Sequence, residues 1–209
     1  MIDLTASLIM LVCLFPLMVM VGCSVWWWLG LPVLFRQQRS GKDGRSFWVF
    51  KFRTMSNARD AQGNLLPDGE RLPRFGQLLR MLSLDELPQL WNVVMGDMSF
   101  VGPRPLLIQY VDRYSAHQRR RLEVVPGITG AAQVRGRNLL SWDERFDWDV
   151  WYVDNLNLSL DVKILVQTIG RILRPQGISG EGQDTMTEFM GSKRCGNKRS
   201  DIPTKTKRE

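Results

Sequence analysis

Between Leu4 and Phe35 the chain carries no Asp, Glu, Lys or Arg, a run of 32 residues in a chain of 209. A membrane helix needs roughly 20 apolar residues, because the hydrocarbon core is about 30 Å thick and a helix rises about 1.5 Å per residue. The run therefore belongs in a bilayer, and the rest of the chain must fold against that surface. A secretory signal is a poor fit: no basic residue precedes the run, which opens MIDLTAS and closes WWWLGLPVLF instead of small residues. Pro16 sits in its middle. Membrane helices tolerate proline where neighbours satisfy the freed carbonyl, so the residues alone leave two forms open. One is a kinked spanning helix. The other is a helix broken at Pro16 that enters and leaves by the same face. Trp26, Trp27 and Trp28 suit the headgroup level, and Arg36, Arg39, Lys42 and Arg45 follow at once. That order predicts the remainder on the cytoplasmic side.

The net charge of +7 is unevenly spread. Residues 36–60 hold seven Lys/Arg against Asp43 and Asp60, and residues 193–209 hold seven against Asp201 and Glu209, which leaves the body between them close to neutral. A basic collar beside a bilayer and a basic tail fit anionic lipid, and no nucleic-acid module is recognisable in the body. Cys13, Cys23 and Cys195 form neither a pairing framework nor a CxxC metal spacing, which predicts a reducing compartment and no structural zinc. A 44% hydrophobic composition is enough for a core, and the polar residues from Gly191 onward read as disordered.

FRQQRSGKDGRSFWVFKFRTM (35–55) has a Gly-Lys-Asp-Gly turn between two extended arms, the pattern of a hairpin. Its second arm alternates Trp48, Phe50 and Phe52 with Val49, Lys51 and Arg53, which predicts one aromatic face and one face with two cations. Residues 56–72 read as a polar loop and RFGQLLRML (74–82) as a helix that carries Arg80 close to Ser83. In SLDELPQLWNVV, Pro88 fits only a first helical turn, so a helix is expected to begin near Asp85, with Asp85 as its cap and Glu86 as a first-turn acid. Arg104, between Pro103 and Pro105, is a guanidinium on stiffened backbone, suited to holding an anion. Gly127, Gly130 and Gly136 permit unusual φ values that could aim N–H groups at a ligand. His117 and the run Arg119–Arg121 read as solvated or facing lipid headgroups. Residues 142–173 are amphipathic, and both core packing and a membrane interface explain the pattern; the interface is the expectation, because the N-terminal run already places the domain there.

Taken together, FRQQRSGKDGRSFWVFKFRTM, SLDELPQLWNVVMGDMSFVGPRPLL, PGITGAAQVRGR and WYVDNLNLSLDVKIL closely resemble the bacterial sugar transferase family, the monotopic polyprenyl-phosphate phosphoglycosyl transferases. The resemblance runs from about residue 3 to residue 190. It implies an α+β fold, mostly helical with a small β-hairpin, a re-entrant membrane helix and interfacial amphipathic helices. It implies transfer of a hexose-1-phosphate from a UDP-sugar to undecaprenyl phosphate with release of UMP. Asp85 matches the family's nucleophile, which forms a phosphosugar-aspartyl intermediate, and Glu86 matches the residue that helps hold Mg2+, with Asp85 beside it. Lys51, Arg80, Arg104 and Arg137 match phosphate-binding cations, and Asp161 a supporting acid.

The same resemblance implies a three-part chain: residues 1–35 as a membrane-embedded helix broken at Pro16, 36–190 as a catalytic domain on the cytoplasmic face of a bacterial inner membrane, and 191–209 as a tail. Its partners are then a UDP-sugar, undecaprenyl phosphate and membrane lipids, with no nucleic acid; the oligomeric state is left open. Larger relatives carry extra transmembrane helices, and this chain reads as the catalytic unit only. GISGEGQDTMTEFMG (177–191) resembles small members that handle acetamido sugars such as UDP-N,N′-diacetylbacillosamine, with UDP-glucose or UDP-galactose the alternative donors. The sequence departs from the family at Phe15, where serine is common before the proline, at Ser40, and at the opening MIDLT. A membrane-tethered basic binding protein and an aspartyl phosphatase are the rival classes.

Overall fold

The structure, a computed structural model, describes residues 2–136, 140–173 and 188–191. The apolar run forms one helix, α1 (Ile2–Leu29), long and apolar enough to cross a membrane. Its Val12, Phe15, Met20 and Trp27 are exposed, Trp27 to 82%, an apolar surface of the kind that marks contact with a membrane or a protein partner. Pro16, where a break is expected, lies inside the range of α1. A proline removes one i→i−4 bond, and the turns on either side continue the ladder. Both ends of α1 are tied to the same body. Near the start, Ser99 Oγ donates to Asp3 Oδ2 at 2.7 Å. Near the end, Val21 and Val25 pack on Phe52 and Leu79, and the Arg53 guanidinium donates to the carbonyls of Leu29, Gly30 and Leu31.

The hairpin forms as expected from its turn. β1 (Leu34–Ser40) pairs antiparallel with β2 (Ser46–Phe52), Leu34 opposite Phe52 and Ser40 opposite Ser46. Its faces differ from the expected division. Val49 is buried with Val93 and Met98, Phe52 is buried against α1, and Arg53 is 7% exposed, so both faces are covered. The polar loop contains a single helical turn, α2 (Asp68–Arg71), and is followed by α3 (Arg74–Met81).

Asp85 does not cap a helix. Leu84–Glu86 is a 3-10 turn entered through Ser83, whose φ of 56° is left-handed, and α4 (Gln89–Val94) starts after Pro88. A second, parallel pair joins β3 (Ser99–Val101) to β4 (Gly127–Thr129). Between them lie the Pro103–Pro105 loop and α5 (Ala116–Arg119). The glycines here serve close approach, in place of the expected unusual φ: a Cβ at Gly127 would sit 2.1 Å from the Gly102 nitrogen, and Gly130 and Gly136 are extended in φ. Then follow α6 (Ala131–Arg135), α7 (Trp142–Asn155) and α8 (Leu158–Leu173).

Ser141 and Glu144 form a capping box that fixes the start of α7. The interface expectation is corrected for α7: Phe146, Trp148, Val150 and Tyr152 are buried, and Trp148 and Tyr152 share a core with Val101, Ala131 and Ile164. α8 buries Ile164 and exposes Leu158, Val162, Val166 and Ile169. A further core gathers Tyr110, Tyr114, Phe146 and Phe189. The mostly helical α+β fold is thus present, while the expectations on 177–187 and on the tail from 192 lie outside the described residues.

Candidate active site

The 3-10 turn sets the geometry. It presents two consecutive carboxylates toward β2 and the proline loop, elements 35 and 18 residues away in sequence. Glu86 Oε1 accepts from Lys51 Nζ at 2.6 Å and from Arg104 Nη2 at 2.6 Å. Lys51 Nζ also lies 4.0 Å from Asp85 Oδ2. Arg80 donates from Nε to Thr54 Oγ1 at 3.0 Å, and its charge acts on Asp85. Asp85, Glu86, Lys51, Arg80 and Arg104 are therefore one cluster drawn from four elements.

The two carboxylates titrate in opposite directions. Burial pushes Asp85 up to about 6, aided by the neighbouring Glu86 charge and opposed by Lys51, Arg104 and Arg80. Burial would raise Glu86 too, but Arg104 and Lys51, by charge and by hydrogen bond, more than offset it and hold the group well below the usual carboxylate range. Burial lowers Lys51 against the pull of Glu86, while Glu86 raises Arg104. Glu86 is thus a fixed anion between two cations. Asp85 is a poorly solvated carboxylate whose nearest cation, Lys51, stands 4.0 Å away and makes no hydrogen bond to it, which leaves its oxygens available for attack. The left-handed Ser83 that precedes the turn is a strained position for a residue with a side chain, a kind of strain that clusters at active sites.

Among the described residues no group of three or more His, Cys, Asp or Glu side chains is placed to hold a metal. Two adjacent carboxylates nonetheless fit Mg2+, a hard cation that takes one or two carboxylates and completes its shell with substrate phosphate oxygens and water. Asp161 is elsewhere: its Oδ1 accepts from Tyr152 Oη at 2.7 Å, and the same Oη lies 3.2 Å from the Val101 carbonyl. Burial raises Asp161 first, and Tyr152 works against that. Arg137 lies outside the described residues, and its neighbour Arg135 is stacked over Trp148 at 4.2 Å.

One element of the site escaped sequence reasoning. Arg121, expected to be solvated or to face headgroups with Arg119 and Arg120, is 3% exposed and pairs with Asp149, itself 1% exposed. Arg119 and Arg120 do stay near the surface, with Arg120 bound to Asp154 and Glu123. His117 is exposed, 3.1 Å from Asp147.

The family described as bacterial sugar transferase matches residues 1–175. The uncharacterized sugar transferase EpsL of Bacillus subtilis (strain 168) is 50% identical over 190 residues, covering 91% of this chain and 94% of EpsL. The UDP-glucose:undecaprenyl-phosphate glucose-1-phosphate transferase of Xanthomonas campestris pv. campestris is 40% identical over 183 residues, 82% of this chain and 38% of that protein. The undecaprenyl-phosphate galactose phosphotransferase of Salmonella typhimurium is 36% identical over 195 residues, 84% of this chain and 40% of its own length. This chain thus spans about two-fifths of those two relatives and nearly all of EpsL.

Proposed function

We propose a function from one established premise: this chain belongs to the bacterial sugar transferase family. It is a sugar-1-phosphate transferase that moves a hexose-1-phosphate from a UDP-sugar to undecaprenyl phosphate at a membrane surface. The observation that carries the reading is the cluster itself, a desolvated Asp85 beside a Glu86 already neutralised by Lys51 and Arg104.

The reaction runs as two displacements. An Asp85 carboxylate oxygen attacks the phosphorus that bears the sugar, the bond to the bridging oxygen breaks, and UMP leaves with the electron pair. An oxygen of undecaprenyl phosphate then attacks the same phosphorus, and Asp85 is regenerated as the lipid diphosphate-sugar forms. Repulsion between a carboxylate and a diphosphate is the obstacle. Lys51, Arg80 and Arg104 oppose it with positive charge, and the Arg104 fork suits phosphate oxygens. Mg2+ held by Asp85 and Glu86 would add charge neutralisation and orientation of the phosphates. Arg137 and Asp161 are proposed as further phosphate-binding and supporting groups on the resemblance alone.

Membrane placement follows from the lipid substrate. That both ends of α1 touch one body supports a re-entrant helix, since a spanning helix would carry Asp3 to the side of the bilayer away from the body that holds Leu29. The exposed apolar stripe on α8 supports a place at the interface, with the body on the cytoplasmic face of an inner membrane.

The test is UMP release from a panel of UDP-sugars, with undecaprenyl phosphate and Mg2+, by protein in detergent or nanodiscs. Glucose and galactose are the sugars in the relatives' names. An acetamido donor such as UDP-N,N′-diacetylbacillosamine is the favoured third, on the likeness of residues 177–191. Lipid-linked product with one of these is expected, and Arg104→Lys should lower kcat on the order of 10²-fold, as loss of an oxyanion donor does. No UMP with any donor would refute the reading.

A further inference from the structure

The Arg104 guanidinium can neutralise Glu86 only if its backbone is held in place. Its segment lacks two of the usual means, because Pro103 and Pro105 have no N–H to donate. The carbonyls hold it instead. Pro103 O accepts from Gly127 N at 3.1 Å, and Leu106 O accepts from Ser40 N at 2.9 Å and Ser40 Oγ at 3.2 Å. The carbonyl of Arg104 accepts from Arg121 Nη2 at 2.6 Å. Arg121 in turn is fixed from every side: Nε and Nη2 reach Asp149 Oδ2 at 3.0 and 2.8 Å, Nη1 reaches Tyr114 Oη at 3.1 Å, and the group lies 5.5 Å from the Phe146 ring centroid.

We propose that Arg121 and Asp149 are positioning residues for the transfer reaction: a buried ion pair, remote from the substrate, that fixes the Arg104 carbonyl and so aims its guanidinium at Glu86 and the phosphates. The proposal rests on the function above and extends it to two residues outside the carboxylate cluster. A buried ion pair is a poor way to gain stability, because desolvation consumes most of the attraction and well-packed apolar side chains often do as well. What apolar side chains cannot supply is the donor to the Arg104 carbonyl. Asp149 is needed because a buried guanidinium without a counter-charge would not remain there.

That contrast yields the experiment. Arg121→Met combined with Asp149→Leu removes both charges and keeps the volume, so the fold is expected to survive, with a thermal midpoint close to wild type. The donor to Arg104 is gone. Turnover should fall on the order of 10²-fold in kcat, the cost of a misplaced catalytic group, with KM for the UDP-sugar within about threefold. Amide hydrogen exchange at Ser40 and Gly127, whose N–H groups donate to the Leu106 and Pro103 carbonyls, should speed up in nanodiscs while that of α7 does not. Arg121→Lys, which keeps the charge against Asp149 but cannot reach three acceptors at once, should fall between and serves if the double variant does not fold.

A folded double variant with wild-type kcat and unchanged exchange around Arg104 overturns the proposal. If the wild type itself releases no UMP, the function is wrong, and the exchange measurement still decides the positioning role: faster exchange confined to Ser40 and Gly127 supports it, and unchanged exchange sinks it.

Discussion

Asp85 and Glu86 are adjacent in sequence and opposite in electrostatic fate. The difference lies in what each side chain meets: Glu86 holds two cations at 2.6 Å, while the nearest ion-pair partner of Asp85 is 4.0 Å away. Asp85 therefore weakens the fold it sits in. Its folded pKa, about 6, lies above the ordinary 3.8, so the ionised form present at neutral pH is the disfavoured one. That destabilisation is complete above pH 6, shrinks as pH falls, and is absent below about pH 4. Asp85→Asn should remove it, raising stability at pH 7.5 on the order of 1–3 kcal/mol while abolishing turnover. Thermal unfolding of metal-free wild type and variant between pH 4 and 8 checks this; a gap between them that fails to close on acidification refutes it. Glu86 has the reverse sign. Its stabilisation is present above pH 4.5 and is lost as pH falls through its depressed folded value, so Glu86→Gln should weaken the fold at neutral pH.

Elements differ in how far their own residues specify them. The hairpin was legible because a turn signal and two extended arms lie within 21 residues, and α3 because its apolar spacing is local. The cation face of β2 was misread because periodicity fixes which residues share a face, and not what covers it; here α1 covers one face and α4 the other. Arg121 was hidden by its neighbours. Three consecutive arginines read as one solvated patch, but rotation around a helical turn exposes Arg119, leaves Arg120 half-buried and buries Arg121, whose partner Asp149 is 28 residues on. Pro16 taught a similar limit, since proline signals strain in a helix without deciding whether the helix divides.

For α1 the structure supplies a tertiary cue that sequence lacks, the contacts of Asp3 with Ser99 and of Leu29 with Arg53, both in one body. A cysteine at Ile2, in a background without Cys13, Cys23 and Cys195, should react with an impermeant maleimide only from the side that labels a cysteine at the exposed loop residue Gln62. Labelling of the two from opposite sides would mean that α1 spans the membrane.

At the scale of the whole molecule, one site must serve a water-soluble donor and a lipid acceptor, and the geometry argues for serving them in turn. Glu86 Oε1 already accepts from both Lys51 and Arg104, and the same few cations must receive every phosphate that enters. Holding a diphosphate and a lipid phosphate there together would gather more negative charge than Lys51, Arg80 and Arg104 can neutralise. The proposed covalent stage at Asp85 would relieve this, because UMP would carry its charge away before the lipid phosphate arrives. The kinetic consequence is specific. With no undecaprenyl phosphate present, the enzyme should still run its first displacement in both directions, so labelled UMP should exchange into the UDP-sugar pool. The exchange should stop in Asp85→Asn and on chelation of Mg2+, and resume when Mg2+ is restored to the wild type. Initial rates against both substrates should give parallel double-reciprocal lines. Exchange that strictly requires the lipid, together with converging lines, would replace the covalent route by direct attack of the lipid phosphate on the bound UDP-sugar.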